Sequence, residues 1–234
     1  MKLVNLPDLS GDFQVIPSLA VMGRSAVWVR NDRYDQVRIG GEKKTPSEIV
    51  SFLKDRFPVI HYIDIMGIRK GKVEWNTFRS AADLAGEIWA DTGITFSDSI
   101  IDPLMAGAAF GIISTKMVQS IEEIAAAFEL TENVILQIDH DRGIIAKDAV
   151  ISRMTPGEMI REMGTFGLDT FIIDDIGNER GTPSREILSE MLRALPSKGR
   201  LYAGVDRPED LKLIDEMGLD GGIISISRIL RDMG

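Results

Sequence analysis

The chain has no cysteine and only two histidines among its 234 residues. Disulfides and thiolate chemistry are excluded, and little imidazole remains for a zinc site. No apolar run approaches the roughly 20 residues that span a bilayer. Met1 to Asp12 lacks the basic-then-apolar pattern of a secretory signal. Positive charge is also short, with 27 Lys and Arg against 36 Asp and Glu, a net charge of -9 and a pI near 4.9. Such a chain is a poor match to a nucleic-acid backbone. The expectation is a soluble, cytoplasmic protein that binds neither nucleic acid nor membrane.

What the chain does contain is repetition. Gly111-Ile112-Ile113-Ser114 recurs as Gly222-Ile223-Ile224-Ser225, and the glycine four residues upstream recurs with it. A second pair stands in the same order: Ile63-Asp64 with Gly67 and Gly71 matches Ile173-Asp174 with Gly177 and Gly181, at an offset of 110. Two matched segments at nearly equal offsets, about half the chain length, imply a duplicated half. A hydrophobic content of 44% is enough for one substantial core.

Along the chain, short apolar runs alternate with amphipathic segments. Strands are expected at 13–21, 59–64, 93–96, 111–114, 134–139, 169–174, 200–204 and 222–226, with Val27-Trp28-Val29 as a side hairpin. Helices are expected at 45–56, 75–90, 102–109, 120–128, 156–166, 184–195 and 207–217, with a last short helix at the end. Thr45-Pro46-Ser47-Glu48 opens the first by its cap and N1 proline. Residues 31–45 read as a loop over one mouth. The strands are continuous apolar runs, as in strands covered on both faces by helices. Eight such units predict a (β/α)8 TIM barrel built from two (βα)4 half-barrels, about 13–129 and 130–234, after an N-terminal extension of 1–12.

In such a barrel the site lies at the C-terminal ends of the strands, and phosphate often sits after strands 7 and 8. Position alone makes Ala20, Asp64, Ser97, Ser114 with Thr115, Asp139 with Asp141, Asp174 with Asp175, Gly204 and Ser225 candidates. Small residues ending strands 4, 7 and 8 let backbone N–H groups approach an anion, or merely make tight turns. One such seat in each half would hold a substrate with two phosphates. Arg24 and Arg30, or Lys43 and Lys44, could reach a phosphate from the first loop. His140 is expected to face the helices or solvent, and His61 the stability face at a strand start.

At these residues the chain resembles the phosphoribosyl isomerases and cyclases of histidine biosynthesis, HisA and HisF. Ile16-Pro17-Ser18-Leu19 resembles the opening strand, Ile63-Asp64 the second, and Ala203-Gly204-Val205 followed by Glu209-Asp210-Leu211 the strand-7 phosphate loop. Ile112-Ile113-Ser114-Thr115 stands where the family has a Gly-Thr phosphate turn, and Gly218 to Ser225 resembles its strand-8 approach. Ile138-Asp139 with Arg142-Gly143 is similar to the fifth-strand catalytic segment, and Asp174 to Thr182 to the isomerase's sixth-strand loop. The resemblance implies an Amadori-type aldose-to-ketose rearrangement of a phosphorylated ribotide, catalysed without a cofactor by two aspartates acting as acid and base.

Asp139 matches the strand-5 aspartate, but Ala20 occupies the strand-1 position. The family's glycine-rich loop after strand 3 is read as Phe96-Ser97-Asp98-Ser99. Three readings follow. In the first, an isomerase uses Asp139 with Asp174 or Asp175, Asp64 serving instead as a structural acid. Phosphate is held by Ser114, Thr115, Gly204, Val205, Ser225, Ile226 and Ser227. The others are a non-catalytic phosphate-ligand binder and a metal-assisted lyase built on Asp139-x-Asp141 or Asp174-Asp175.

Overall fold

The computed structural model describes residues 2–30, 33–176 and 181–231. Its centre is a ring of eight strands: β1 (Gln14–Met22), β2 (Val59–Asp64), β3 (Glu87–Asp91), β4 (Phe110–Ser114), β5 (Val134–His140), β6 (Thr170–Asp175), β7 (Arg200–Val205) and β8 (Gly221–Ser225). Each pairs in parallel with the next, and β8 pairs with β1 across Gly221–Ser225 and Gln14–Ser18. With helices in the connections, this is a closed (β/α)8 barrel.

The strands are continuous in hydrophobicity because both of their faces are covered; every residue of β5 is buried. The outer face packs against the helices in one large cluster, with Phe78, Ile160, Leu188 and Leu211 among the helical side chains. The inner face supplies a floor of one residue per strand: Ile16, Val59, Trp89, Ile112, Ile135, Ile172, Tyr202 and Ile223. The Trp89 and Tyr202 rings meet edge to face at 4.9 Å, which closes the middle of the floor.

The duplication is written into the helices as well as the strands. Thr45 caps the helix Pro46–Leu53 after β1, and Thr155 caps the helix Pro156–Thr165 after β5. Each forms a reciprocal capping box, with Glu48 or Glu158, behind an N1 proline. Thr-Pro-x-Glu therefore recurs 110 positions apart at equivalent places in the two halves.

The expected third unit is displaced. The helix from Trp75 ends at Ala82 rather than Ala90, and the strand lies at Glu87–Asp91 rather than 93–96. Gly86 shows why, since a Cβ there would stand 2.6 Å from the Pro58 carbonyl oxygen. That oxygen accepts the Glu87 amide at 2.8 Å, which lays the new strand beside β2. Residues 97–100 are a short 3-10 turn.

The expected mouth loop is largely paired backbone. Ser25–Arg30 runs antiparallel to the end of β1 and to Arg33–Gln36, and Arg38–Ile39 pairs with Glu42–Lys43. Asn31 and Asp32 of that stretch lie outside the described residues. Lys2–Leu3 pairs with Leu230–Arg231, and Ser10 donates from its amide and hydroxyl to Asp215. Among the described residues no helix is long and apolar enough to cross a membrane.

Candidate active site at the mouth of the barrel

Successive inward side chains are two residues apart on a strand. Two beyond the floor stand Ser18, His61, Asp91 and Ser114 from the first four strands, and Gln137, Asp174, Gly204 and Ser225 from the last four. The floor is apolar, and this layer is polar apart from its glycine. Asp139 lies two residues above Gln137.

Asp139 is fully buried and held from several sides. Its Oδ1 accepts from Lys116 Nζ at 2.7 Å and from Gln137 Nε2 at 2.9 Å. Its Oδ2 accepts from Ser114 Oγ at 2.5 Å and from the Lys116 amide at 3.3 Å. Thr115 Oγ1 accepts the Asp139 amide at 3.0 Å. The β4 turn expected to grip phosphate thus spends both hydroxyls and an amide on Asp139.

Lys116 projects from that turn into a set of acids. Burial opposes its charge, but Asp139, Asp91 and Asp174 outweigh that effect and raise its pKa. Burial, with Asp139 and Asp174 adding repulsion against the pull of Lys116, pushes Asp91 up to about 6. The Gly93 amide donates to Asp91 Oδ1 at 3.1 Å. Burial and then Asp139 push Asp174 up to about 6, again against the pull of Lys116. Asp174 is in register with Asp139 on the neighbouring strand. It fits because Gly204 has no side chain: a Cβ there would lie 3.0 Å from Asp174 Oδ1.

His61 faces the same interior, not the stability face. Burial and the nearby Lys116 push its pKa down to about 4, so the ring is neutral. Neither ring nitrogen has a hydrogen-bond partner among the described residues.

The sequence-assigned residues do not all converge. Asp174 reaches the mouth, and Asp139 anchors its lysine. Asp175 takes the opposite face of β6, where its Oδ1 meets His140 Nδ1 at 3.1 Å between sheet and helices. Asp174 and Asp175 therefore point apart and do not form a joint ligand pair. Asp141 is exposed on its loop, 3.5 Å from Arg142. Asp64 accepts the Gly67 amide at 2.7 Å and caps the short helix Ile65–Lys70, the structural part expected of it.

At the other half's equivalent of the β4 turn, Ser225 is exposed and its Oγ accepts the Ser227 amide at 3.3 Å. Gly204 and Val205 end β7 alongside, and Ile226 is buried beneath. Arg228 clamps Asp206 with three bonds of 2.6, 2.8 and 2.9 Å, tying the two loops together. Ala20 packs with Val27 and Ile65, which makes the strand-1 position apolar. Arg24 is exposed, 4.0 Å from Glu74, and Lys44 pairs with Glu42 and Glu48. Gly177, Asn178, Glu179 and Arg180 of the sixth-strand loop lie outside the described residues, as does the Arg30 side chain.

Three residues of the cluster escaped the sequence reading. Asp91 fell in the connection after an over-long helix, expected at 75–90, and before the strand expected at 93–96. His61 was assigned to the wrong end of β2, although its place two residues after Val59 marks it as inward. Lys116 directly follows Ser114-Thr115, and a lysine there is the one local sign that the turn has changed its work.

Fold and cluster together define a (β/α)8 barrel with a charged, acid-rich centre above a sealed apolar floor. The family model described as "Histidine biosynthesis protein" matches residues 14–230, nearly the whole ring of strands. The chain belongs to that family, as the resemblance to HisA and HisF implied. A search of curated protein sequences gives no significant match.

Proposed function

We propose that the protein is an isomerase of a phosphorylated aldose or ribotide, moving a proton between neighbouring carbons in an aldose-to-ketose, Amadori-type step. The observation that carries this reading is Asp174. It is a half-buried carboxylate at the end of β6, pushed up to about 6, with no side-chain hydrogen bond donated to it among the described residues and an ammonium close by. A general base works best with a pKa near the working pH. Asp91, also near 6 and on the same inner face, adds a second carboxylate to the centre. Asp139, surrounded by donors, holds the lysine. Asp175 has no part in the chemistry on this reading.

The substrate would carry one phosphate, not two. The β4 turn is consumed by Asp139, whereas Gly204, Val205, Ser225, Ile226 and Ser227 form the remaining candidate seat. Three carboxylates near the centre would repel a phosphate, which favours seating it to one side.

The test is a panel of monophosphorylated aldoses and aminoaldoses, followed by proton NMR for ketose formation. Turnover is expected with at least one member and should be lost in Asp174→Asn. Binding of several members without turnover would support a phosphate-ligand binder instead.

A further inference from the structure

We propose that Lys116 is a catalytic electrophile, its ammonium binding the oxygen of the substrate carbonyl while Asp174 takes the proton from the adjacent carbon. This rests on the isomerase reading and names the group that reading lacks, a donor for the oxygen on which charge develops.

The ammonium has three N–H donors. Among the described residues Nζ donates to Asp139 alone, at 2.7 Å, leaving two donors for something else. The lysine side chain is 29% exposed while its partner is fully buried, so the anchored ammonium stands on the mouth side of Asp139. His61, inward on β2, is buried with both nitrogens unpartnered. A buried polar group without a partner is costly, and this one lies close enough to Lys116 for the lysine's charge to act on it. A neutral imidazole still has one N–H, and neutral imidazole can polarise a carbonyl.

As carboxylates, Asp91 and Asp174 can only accept hydrogen bonds. Lys116, in the turn after β4, and His61, on β2, are the donors of this cluster with N–H groups left over among the described residues. A carbonyl oxygen, which only accepts, is the ligand atom that matches those donors. Simple charge compensation of Asp139 would explain the lysine but not the unpartnered histidine.

The step balances without an outside reagent. The Asp174 carboxylate accepts the proton on the carbon next to the carbonyl, and the C–H pair becomes a C=C bond. The carbonyl π pair moves onto oxygen, which takes a proton from the Lys116 ammonium. The neighbouring hydroxyl then becomes the new carbonyl, its proton restoring the ammonium, and return of the carbon-bound proton from Asp174 to the former carbonyl carbon gives the ketose, so oxidation at one carbon is matched by reduction at the other. Electrostatic stabilisation of such an oxyanion is commonly worth about 10²- to 10³-fold in rate.

The probe is a phosphorylated four-carbon hydroxamate, which mimics the enediolate, compared with the phosphorylated amide of the same chain. Both would be titrated calorimetrically into the wild type, Lys116→Met, the double variant Lys116→Met/Asp139→Asn, and His61→Leu. The double variant removes the pair without leaving a buried charge, so it keeps the test open if the single variant does not fold. We expect the wild type to bind the hydroxamate at least about tenfold more tightly than the amide. The preference should fall to near unity without Lys116 and shrink in His61→Leu, with amide binding retained. Folded lysine variants that keep the tenfold preference would overturn the proposal. So would a wild type that isomerises a phosphorylated aldose yet shows no preference, and the isomerase reading would then stand. A wild type that binds neither compound and turns over no aldose would remove both.

Discussion

Single side chains in this barrel carry charge where burial disfavours it, and that has measurable consequences. Asp91 and Asp174, both pushed up to about 6, hold protons in the folded state that the unfolded chain has released by pH 4 to 5. Their effect on stability is therefore most favourable below about pH 4 and declines as pH rises through about 6. Replacing Asp174 by Asn should raise the melting temperature at pH 7.5 and flatten this dependence, while removing turnover, as expected where function stores repulsion. A thermal denaturation series from pH 4 to pH 8 checks it; a melting temperature lowered at pH 7.5 contradicts it. Under the isomerase reading the rate should rise with pH through about 6, because the base must be ionised. Lys116→Met alone leaves Asp139 uncompensated and should cost about 3–5 kcal/mol in urea denaturation. The double variant should recover much of that loss.

Among the elements, the two capped helices give a direct comparison. Thr45→Ala removes a capping box and should cost about 1 kcal/mol. Thr155→Ala should cost more, because Thr155 Oγ1 also donates to Glu190 at 2.5 Å, bridging to the helix Arg185–Ala194. Equal losses in the denaturant midpoints of the two variants would show that the cap alone matters. Most elements were legible in the sequence because each follows one period: apolar runs for strands, Thr-Pro caps for helices. The third unit was not, since Trp75, Phe78, Ala81, Ala82 and Ile88 fit helical spacing. Only the contact of Gly86 with Pro58 says otherwise, and that contact exists only in the fold. The same displacement hid Asp91. The half-repeat also slid by one residue: β2 and β6 start 111 positions apart, not 110. Asp64 therefore shares the outer face with Asp175, while Asp174 is inward, in the same layer as His61.

For the molecule as a whole, the sequence repeat defined two halves but not their division of labour. Equivalent turns ending β4 and β8 begin from the same Gly-Ile-Ile-Ser, yet one is buried against Asp139 and the other is open. What separates them is the following residue, Thr115-Lys116 against Ile226-Ser227, together with an acid on β5 for the first to hold. That pairing is long-range, so no local pattern announced it. Closure of the ring depends on the β8–β1 seam, where a Cβ on Gly221 would lie 2.4 Å from the Gln14 carbonyl oxygen. Gly221→Val should weaken the whole barrel, by about 1–3 kcal/mol, with every strand melting together. A local loss at the seam, seen by hydrogen exchange, would show instead that the ring tolerates opening.

The floor of eight apolar side chains lies beneath Asp174, which ends its strand at the mouth. A bound sugar would stand between that carboxylate and the solvent above it. A proton taken from carbon would then wait on a carboxylate cut off from solvent until it is returned. Substrate deuterated at that carbon should carry part of its label to the neighbouring carbon of the product, rather than losing all of it to the medium.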